Sequence, residues 1–416
     1  MTIAQGLGKV LTIAKQAAAL AGQTPTTANI TAATGKQIMR RETGMGKLAM
    51  AAFSNNEITT FQQSTGKAHG LRSASFTLSG VLSAGTYSVI FASLLRRLFA
   101  APTLTGMSAI VGAVTIAQGA PTYTGTITFA SSLALASGLK IGDVIRLTGT
   151  ASNNNKNLLI YAMTATVLSV VSLNNTAITG ETVATGLATI NYPGKKTFAP
   201  ITGQTFEYWL IEEWQADIAQ SEIFSDMVVA SIDIGLPSSG NATCVSNFSG
   251  LQRSLNTTQQ ITGGTAPTTT QVLTAVQGDI IVNGAIAGNV TGATVKIDCM
   301  AKDMGGVIGT NISPDVQRQV INVSGQITAF YQDGVFPSMF DQSSIVSLSL
   351  VVAADSTNAS DFVSMTIPAV TFDGDDKDDG LKGIIRTYPF TARMAPTGGS
   401  GIANEQTIFS IQDTQA

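Results

Sequence analysis

The chain has a single histidine, His69, two cysteines and two tryptophans in 416 residues. A lone histidine cannot build a histidine cluster, and no Gly-x-Ser-x-Gly elbow offers it a nucleophile. Cys244 and Cys299 lie far apart and match no metal or redox spacing. They are expected to be reduced, small apolar residues, which suits folding in a cytoplasm. Charged residues make up only 12% of the chain, about half of the usual share of about 25%. The formal net charge is −3, so no global attraction to nucleic acid is expected. No apolar run reaches the ~18 residues of a membrane span. The nearest, Val89 to Phe99, is broken by Arg96 and Arg97. The first 20 residues are not read as a signal peptide, because Lys9 and Lys15 interrupt the apolar stretch.

What is present is β-forming. Hydrophobic residues are 44%, and much of the remainder is Thr, Ser, Asn, Gln and Gly. Low charge with ample β-branched residues favours burial over disorder. A surface with so little charge is poorly protected against association, so such a chain either aggregates or uses its surface in an assembly. The length suits two or three domains.

Residues 1–70 are basic and loop-rich, with Lys36, Arg40, Arg41, Lys47 and Lys67 opposed by few acids. Extended pieces are expected at Lys9–Gln16 and Gln37–Ala51, and "FSNNEITTF" (53–61) as one side of a hairpin. From Ser73 to Leu82 the pattern alternates, which predicts a strand with one buried face. "SAGT" (83–86) punctuates it. Thr86 is placed to cap a helix whose apolar residues are Ile90, Phe91, Leu94, Leu95 and Leu98. Arg96 and Arg97 would then complement the last turn. Residues 103–196 read as a small all-β module, with strands in "GLKIGDVIRLTGT" and "YAMTATVLSVVSL" and "NYPGKKT" (191–197) as an exit linker. Long strands return at 204–215, 222–236 and 241–250, and "NTTQQITGGTAPTTTQ" (256–271) is an aperiodic linker.

The second half repeats the first. "FTLSGVL" (76–82) matches "INVSGQI" (321–327) position by position: apolar, polar, apolar, Ser, Gly, any, apolar. A turn and a short helix follow each, then three strands, which in the second half are 344–354, 361–372 and 383–394. His69 has no counterpart in the second copy.

No residue is assigned a catalytic, cofactor-binding or metal-binding role. His69 beside Gly70 reads as a turn or interface residue. Glu212 and Glu213 resemble a carboxylate pair, but strand neighbours point to opposite faces, so a solvated or interface role is expected. "DGDDKDDG" (373–380) is the densest charge cluster. It lacks the glycine and terminal acid that an EF-hand loop needs at its sixth and twelfth positions, and reads as a solvated loop between strands. Lys36, Arg40, Arg41 and Lys47 carry no interleaved aromatics for nucleic acid. Pairing with acids of a neighbouring subunit is the simpler reading.

"TIAQGLGKVLTIAKQ", "IMRRETGMGKLAM", "NNEITTFQQ" and "HGLRSASFTLSGVLSAGTYSVIFASLLRR" resemble, in order and spacing, the N-terminal half of tail tube (major tail) proteins of long-tailed bacteriophages. "INVSGQITAFYQDG", "SIVSLSLVVAAD", "VSMTIPAVTFDG" and "IIRTYPFTARM" are similar to the strands and short helix of such proteins, and "GLKIGDVIRLTGT" to a β-module inserted in some of them. The loop "NNEITTFQQSTGKA" departs from the pattern in having less charge.

The resemblance implies a mainly β fold: two tail-tube-type β-sandwich or barrel modules, each with a short flanking helix, plus an inserted small all-β domain. The expected division is 1–102 and 197–255 for module 1 with its N-terminal arm, 103–196 for the insert, 256–271 for the linker and 272–416 for module 2. It also implies a structural virion protein without enzymatic activity or cofactors, assembled in the host cytoplasm. Such proteins polymerise into stacked rings that conduct DNA during ejection. Two modules per chain imply a trimeric ring with pseudo-sixfold symmetry; a homohexamer of one-module chains is the alternative. The implied partners are further copies of the chain, tape-measure, tail terminator and baseplate proteins, and DNA in transit, with no membrane. The insert is expected on the outside, and its deletion to leave tube formation intact. The rival class is a secreted or surface β-rich adhesin or carbohydrate-binding protein, which would need an export signal and exposed aromatic platforms.

Overall fold

The computed structural model describes the chain except residues 1–5, 22–24, 26–28, 31–36, 39–41, 55–57, 59, 61–62, 64–65, 267 and 379–382. The first part contributes β1 (Lys9–Lys15), β2 (Gln37–Ile38), β3 (Thr43–Ser54), β4 (Lys67–Val81) and helix α1 (Ser88–Leu94). The alternation from Ser73 is real: Ala74, Phe76, Leu78 and Leu82 are buried, while Ser75 and Thr77 face out. The hairpin expected around 53–61 is formed instead by β3 and β4, with Ser54 opposite Lys67. Phe53 and Ser54 end a strand rather than begin one, and most of 55–61 lies outside the described residues.

Helix α1 differs from expectation at both ends. Thr86 does not cap it; its hydroxyl bonds the Ser83 hydroxyl at 2.6 Å and that of Thr268. Tyr87 occupies the cap position with no side-chain bond. At the other end Arg96 lies beyond the helix with φ +60°, so Arg96 and Arg97 do not sit in its last turn. Arg96 turns inward to the Gln204 side chain and the Gln319 carbonyl. Leu98, 60% exposed, lies past the packed face.

Residues 114–191 form a separate seven-stranded antiparallel sheet. Its strands are β5 (Val114–Gln118), β6 (Thr124–Phe129), β7 (Val144–Thr148), β8 (Asn157–Met163), β9 (Val167–Ser172), β10 (Glu181–Val183) and β11 (Thr189–Asn191). A one-turn helix, α2 (Leu133–Ala136), interrupts them. Of "GLKIGDVIRLTGT" only Val144–Thr148 is strand. The sheet has its own core of Ile116, Ile127, Ile145, Leu158 and Val170. The expected exit linker does not exist as a free segment. Lys195–Phe198 is strand β12, paired with a strand near the C-terminus, and Lys196 and Thr197 are buried.

The chain then runs through β13 (Trp209–Gln215), β14 (Gln220–Pro237), β15 (Thr243–Gly250) and β16 (Gln252–Asn256). After the aperiodic segment come β17 (Gly278–Val282), β18 (Ala285–Ile286), β19 (Val290–Asp298) and the small hairpin β20 (Lys302–Asp303) and β21 (Val316–Gln317). β22 (Asn322–Phe330), α3 (Val335–Asp341), β23 (Val346–Ala353), β24 (Phe362–Phe372), β25 (Asp376–Asp378), β26 (Ile385–Ala392) and β27 (Ser410–Asp413) complete it. β22, α3, β23, β24 and β26 lie where the repeat placed them.

Long β14 belongs to two layers. Its first half pairs with β13 and β16, its second with β15 and β19. The register shifts between Val229 and Ser231, and a bulge there bends the strand from one layer into the other. Buried Asp226, at φ +55°, anchors the bend by accepting from Gln16 Nε2 at 2.6 Å and Leu20 N at 2.7 Å. Between the layers lies one core that includes Phe76, Phe91, Trp209, Ile232, Leu350 and Phe390.

The 114–191 sheet is not a loose appendage. Val144, Leu159 and Val171 pack on Ile281, Val351 and Phe362 of the second half. Lys196 joins Asp143 at 2.7 Å and Glu405 at 3.4 Å across the same seam. Gln412 accepts from Val144 N at 2.8 Å and donates to the carbonyls of Val144 and Pro193. Excising residues 103–196 would bare this apolar seam, which conflicts with the expectation of a harmless deletion.

The C-terminal strand ends in a buried carboxylate. Asp413 accepts from Gly85 N at 2.8 Å and Gln415 N at 2.9 Å, and so ties β27 to the "SAGT" turn. Burial raises its pKa to about 6 despite those bonds. A folded-state value above the unfolded one means stability is greatest below the ordinary carboxylate range and is lost as pH rises through about 6. The shift corresponds to roughly 3 kcal/mol. Asp413→Asn, which cannot ionise, is expected to lose less stability than the parent chain between pH 4 and pH 7, read by thermal unfolding across that range.

Candidate assembly face

Of the residues weighed as sites, His69 lies exposed in β4 opposite Ala52, within a strand rather than in a turn. Glu212 and Glu213 do point to opposite faces, but neither is solvated. Glu212 accepts from Ser221 Oγ at 2.5 Å, Gln260 N at 2.7 Å and Ile261 N at 2.6 Å. It ties the aperiodic segment to β13. Glu213 pairs with Lys9 at 2.7 Å and accepts from Gly46 N at 2.9 Å. The acidic run at 373 is only partly a loop, because Asp376–Asp378 forms β25 against β26. Asp375 holds Arg386 at 2.5 Å. Among the described residues no group of three or more His, Cys, Asp or Glu is arranged to hold a metal. Cys244 and Cys299 are free and buried. Burial lifts the Cys244 thiol to about 12 and raises that of Cys299, so neither is a ready nucleophile. Lys36, Arg40 and Arg41 lie outside the described residues, and Lys47 is exposed on β3.

The extended feature is a sheet face. Pairing runs without interruption through β3, β4, β15, β14, β19, β22 and β26. Residues in register share a face. One such row is Thr43, Ser79, Val245, Asp233, Lys296, Ser324 and Thr391. The next is Met45, Thr77, Asn247, Ser231, Asp298 and Asn322. These side chains point away from the core and are mostly hydroxyls and amides. Several bond across strands: Thr77 to Asn247 at 3.0 Å, Asn247 to Ser231 at 3.0 Å, and Thr328 to Thr387 at 3.4 Å.

Charge on this face gathers at the joint between the halves. Asp233 stands opposite Lys296, which also lies 3.6 Å from Asp298. Burial raises the pKa of Asp233, Lys296 works against that, and Asp298 adds to it. Beneath the face, glycine is required at particular points. A Cβ on Gly325 would lie 2.6 Å from the Phe390 ring, and one on Gly46 would lie 2.1 Å from the Phe224 ring. This accounts for the glycine of "INVSGQI". The continuity of the rows was not legible from the sequence, because no local pattern states that β14 pairs with β19.

Replacing Glu212 by alanine strands two backbone N–H groups that its carboxylate now satisfies. Each orphaned group costs about 1–3 kcal/mol. Glu212→Ala is therefore expected to destabilise the chain by several kcal/mol and Glu212→Gln by less, as measured by denaturant unfolding.

No helix among the described residues is long and apolar enough to cross a membrane. No curated protein matches this sequence. The family model described as phage tail tube protein matches residues 6–392, nearly the whole chain. A mainly β chain with a continuous polar sheet face and a repeated half thus belongs to the phage tail tube protein family.

Proposed function

We propose that the chain builds the tail tube as a ring of three copies, each supplying two tube modules in pseudo-sixfold arrangement. The observation that carries this reading is the repeat of strand order. β3, β4, β15 and β14 pair in that sequence, and β19, β22, β26 and β24 do the same in the second half. The first module comprises 1–102 and 197–255, the second 272–416, with 256–271 between them. The hydroxyl-rich face lines the channel, where weak and mostly uncharged contacts let DNA slide rather than bind, since phosphate affinity grows with each lysine or arginine presented. Residues 103–196 sit on the outside, because their sheet packs on the layer of β17, β23 and β24 away from the polar face. The role is structural rather than catalytic. Assembly takes place in the host cytoplasm, with tape-measure, terminator and baseplate proteins as partners at the ends and core of the tube.

Symmetry analysis of negatively stained rings is expected to give three chains per ring and six density lobes. Six identical chains per ring, or compact monomers under all assembly conditions, would overturn the reading. Thr294→Lys combined with Ser324→Lys adds two cations per chain to the channel face. Tubes are expected to form, and phage carrying the variant to eject DNA more slowly than the parent, most of all at low salt.

A further inference from the structure

The loop "ASNNNKN" (151–157) joins β7 to β8 in the 114–191 sheet. It buries a lysine against an amide. Asn153 is fully buried and Lys156 is only 8% exposed. Between them Asn155, at φ +58°, turns the chain tightly. Lys156 Nζ donates to Asn153 Oδ1 at 3.2 Å and to the Ala177 carbonyl at 2.6 Å. Both acceptors are neutral, which compensates poorly for a desolvated ammonium. Lys156 takes no part in the seams or the polar face described above. We propose that Lys156 and Asn153 join in an intramolecular isopeptide bond, with Glu181 carrying the protons.

The surroundings of Asn153 carry the inference. Its Nδ2 donates to Glu181 Oε1 at 2.5 Å and to the Thr179 carbonyl at 2.7 Å. Its Oδ1 accepts from Thr179 N at 3.0 Å and from Lys156. Two acceptors on one side and two donors on the other settle which atom of the amide is nitrogen. The nitrogen that must leave therefore touches a carboxylate. The oxygen on which negative charge develops touches a backbone N–H, the arrangement that stabilises a tetrahedral intermediate. Glu181 is held in place by Ala151 N at 2.8 Å and Asn153 N at 3.1 Å. Ile178, Leu147 and Leu158 of the insert core flank the site in sequence and are buried. Nucleophile and amide are three residues apart and already in contact, so little freedom is lost on closure.

Burial lowers the pKa of the Lys156 ammonium, although Glu181 works against this, so the free amine that attack requires comes within reach. Glu181 takes one proton from the ammonium, and the free Nζ attacks Asn153 Cγ. The proton passes from Glu181 to Nδ2 as the Cγ–Nδ2 bond breaks. The new amide nitrogen sheds its second proton to the departing ammonia, which leaves as ammonium. No oxidant or other co-reactant is consumed. The product exchanges a buried charge for a neutral amide. Its N–H faces the Ala177 carbonyl and its oxygen keeps Thr179 N, so the partners present before the reaction serve it afterwards.

The test is the mass of the parent chain. A loss of about 17 Da against the sequence mass, one ammonia, is expected. Trypsin cuts after free lysine and not after an acylated one. The digest is therefore expected to give one peptide spanning 147–195 in place of 147–156 and 157–195. Fragmentation of that peptide is expected to show no breaks between residues 153 and 156. Glu181→Gln and Lys156→Arg are each expected to keep their full sequence mass and to be cut after residue 156. A parent chain at its sequence mass and cut after Lys156 overturns the proposal. So does a chain lighter by one ammonia but still cut there, because it has cyclised at another asparagine. A bond that forms undiminished in Glu181→Gln overturns the part given to Glu181.

Discussion

The joint between β14 and β19 organises the molecule. Seven consecutive pairs, from Ser231 opposite Asp298 to Pro237 opposite Gly292, turn two similar halves into one sheet. A sheet edge is a row of unpaired donors and acceptors; burying such a row without a partner is costly, and leaving it exposed invites uncontrolled pairing. At this joint each half satisfies the other's edge. Asp233 and Lys296 meet on the polar face, while Ile232, Ile234, Val295 and Ile297 meet in the core. The same pairs therefore set both the register and the alignment of two hydrophobic interiors.

Each half then covers its second layer differently. In the first half, Leu20, Ile30 and Ile261 close over Ala14, Leu210 and Ile223, and the carboxylates of Asp226 and Glu212 fasten the covering segments. In the second half the 114–191 sheet does this work through Val144, Leu159 and Val171, secured by Lys196, Asp143 and Gln412. Buried charges in both places are paired or accept several N–H bonds, as the cost of desolvating an unpaired charge demands. Part of the chain's small stock of charge is thus held at seams inside the molecule. Away from the joint, where Asp233, Lys296 and Asp298 meet, the long polar face carries mostly hydroxyls and amides.

Much of the fold was legible because its cause is local. The alternation of Ala74, Phe76, Leu78 and Leu82 and the heptad shared by 76–82 and 321–327 follow from period-two burial, and both strands formed as read. The readings that failed depended on distant partners. Thr86 is drawn from the helix end by Ser83 and Thr268, Arg96 is pulled inward by Gln204 and Gln319, and Lys195–Phe198 becomes strand because β27 is available to pair with it. Glu212 and Glu213 read as surface acids because a strand sequence cannot say that backbone donors from 260–261 and 46 will reach them.

The sequence by itself determined a β-rich, charge-poor chain with a repeated half, since composition and short-range periodicity are properties of neighbours along the chain. Tertiary structure alone decided that the halves share one sheet and that the inserted residues are welded to the second half. Those outcomes depend on hydrogen-bond registers between segments tens to hundreds of residues apart, and no local pattern encodes them.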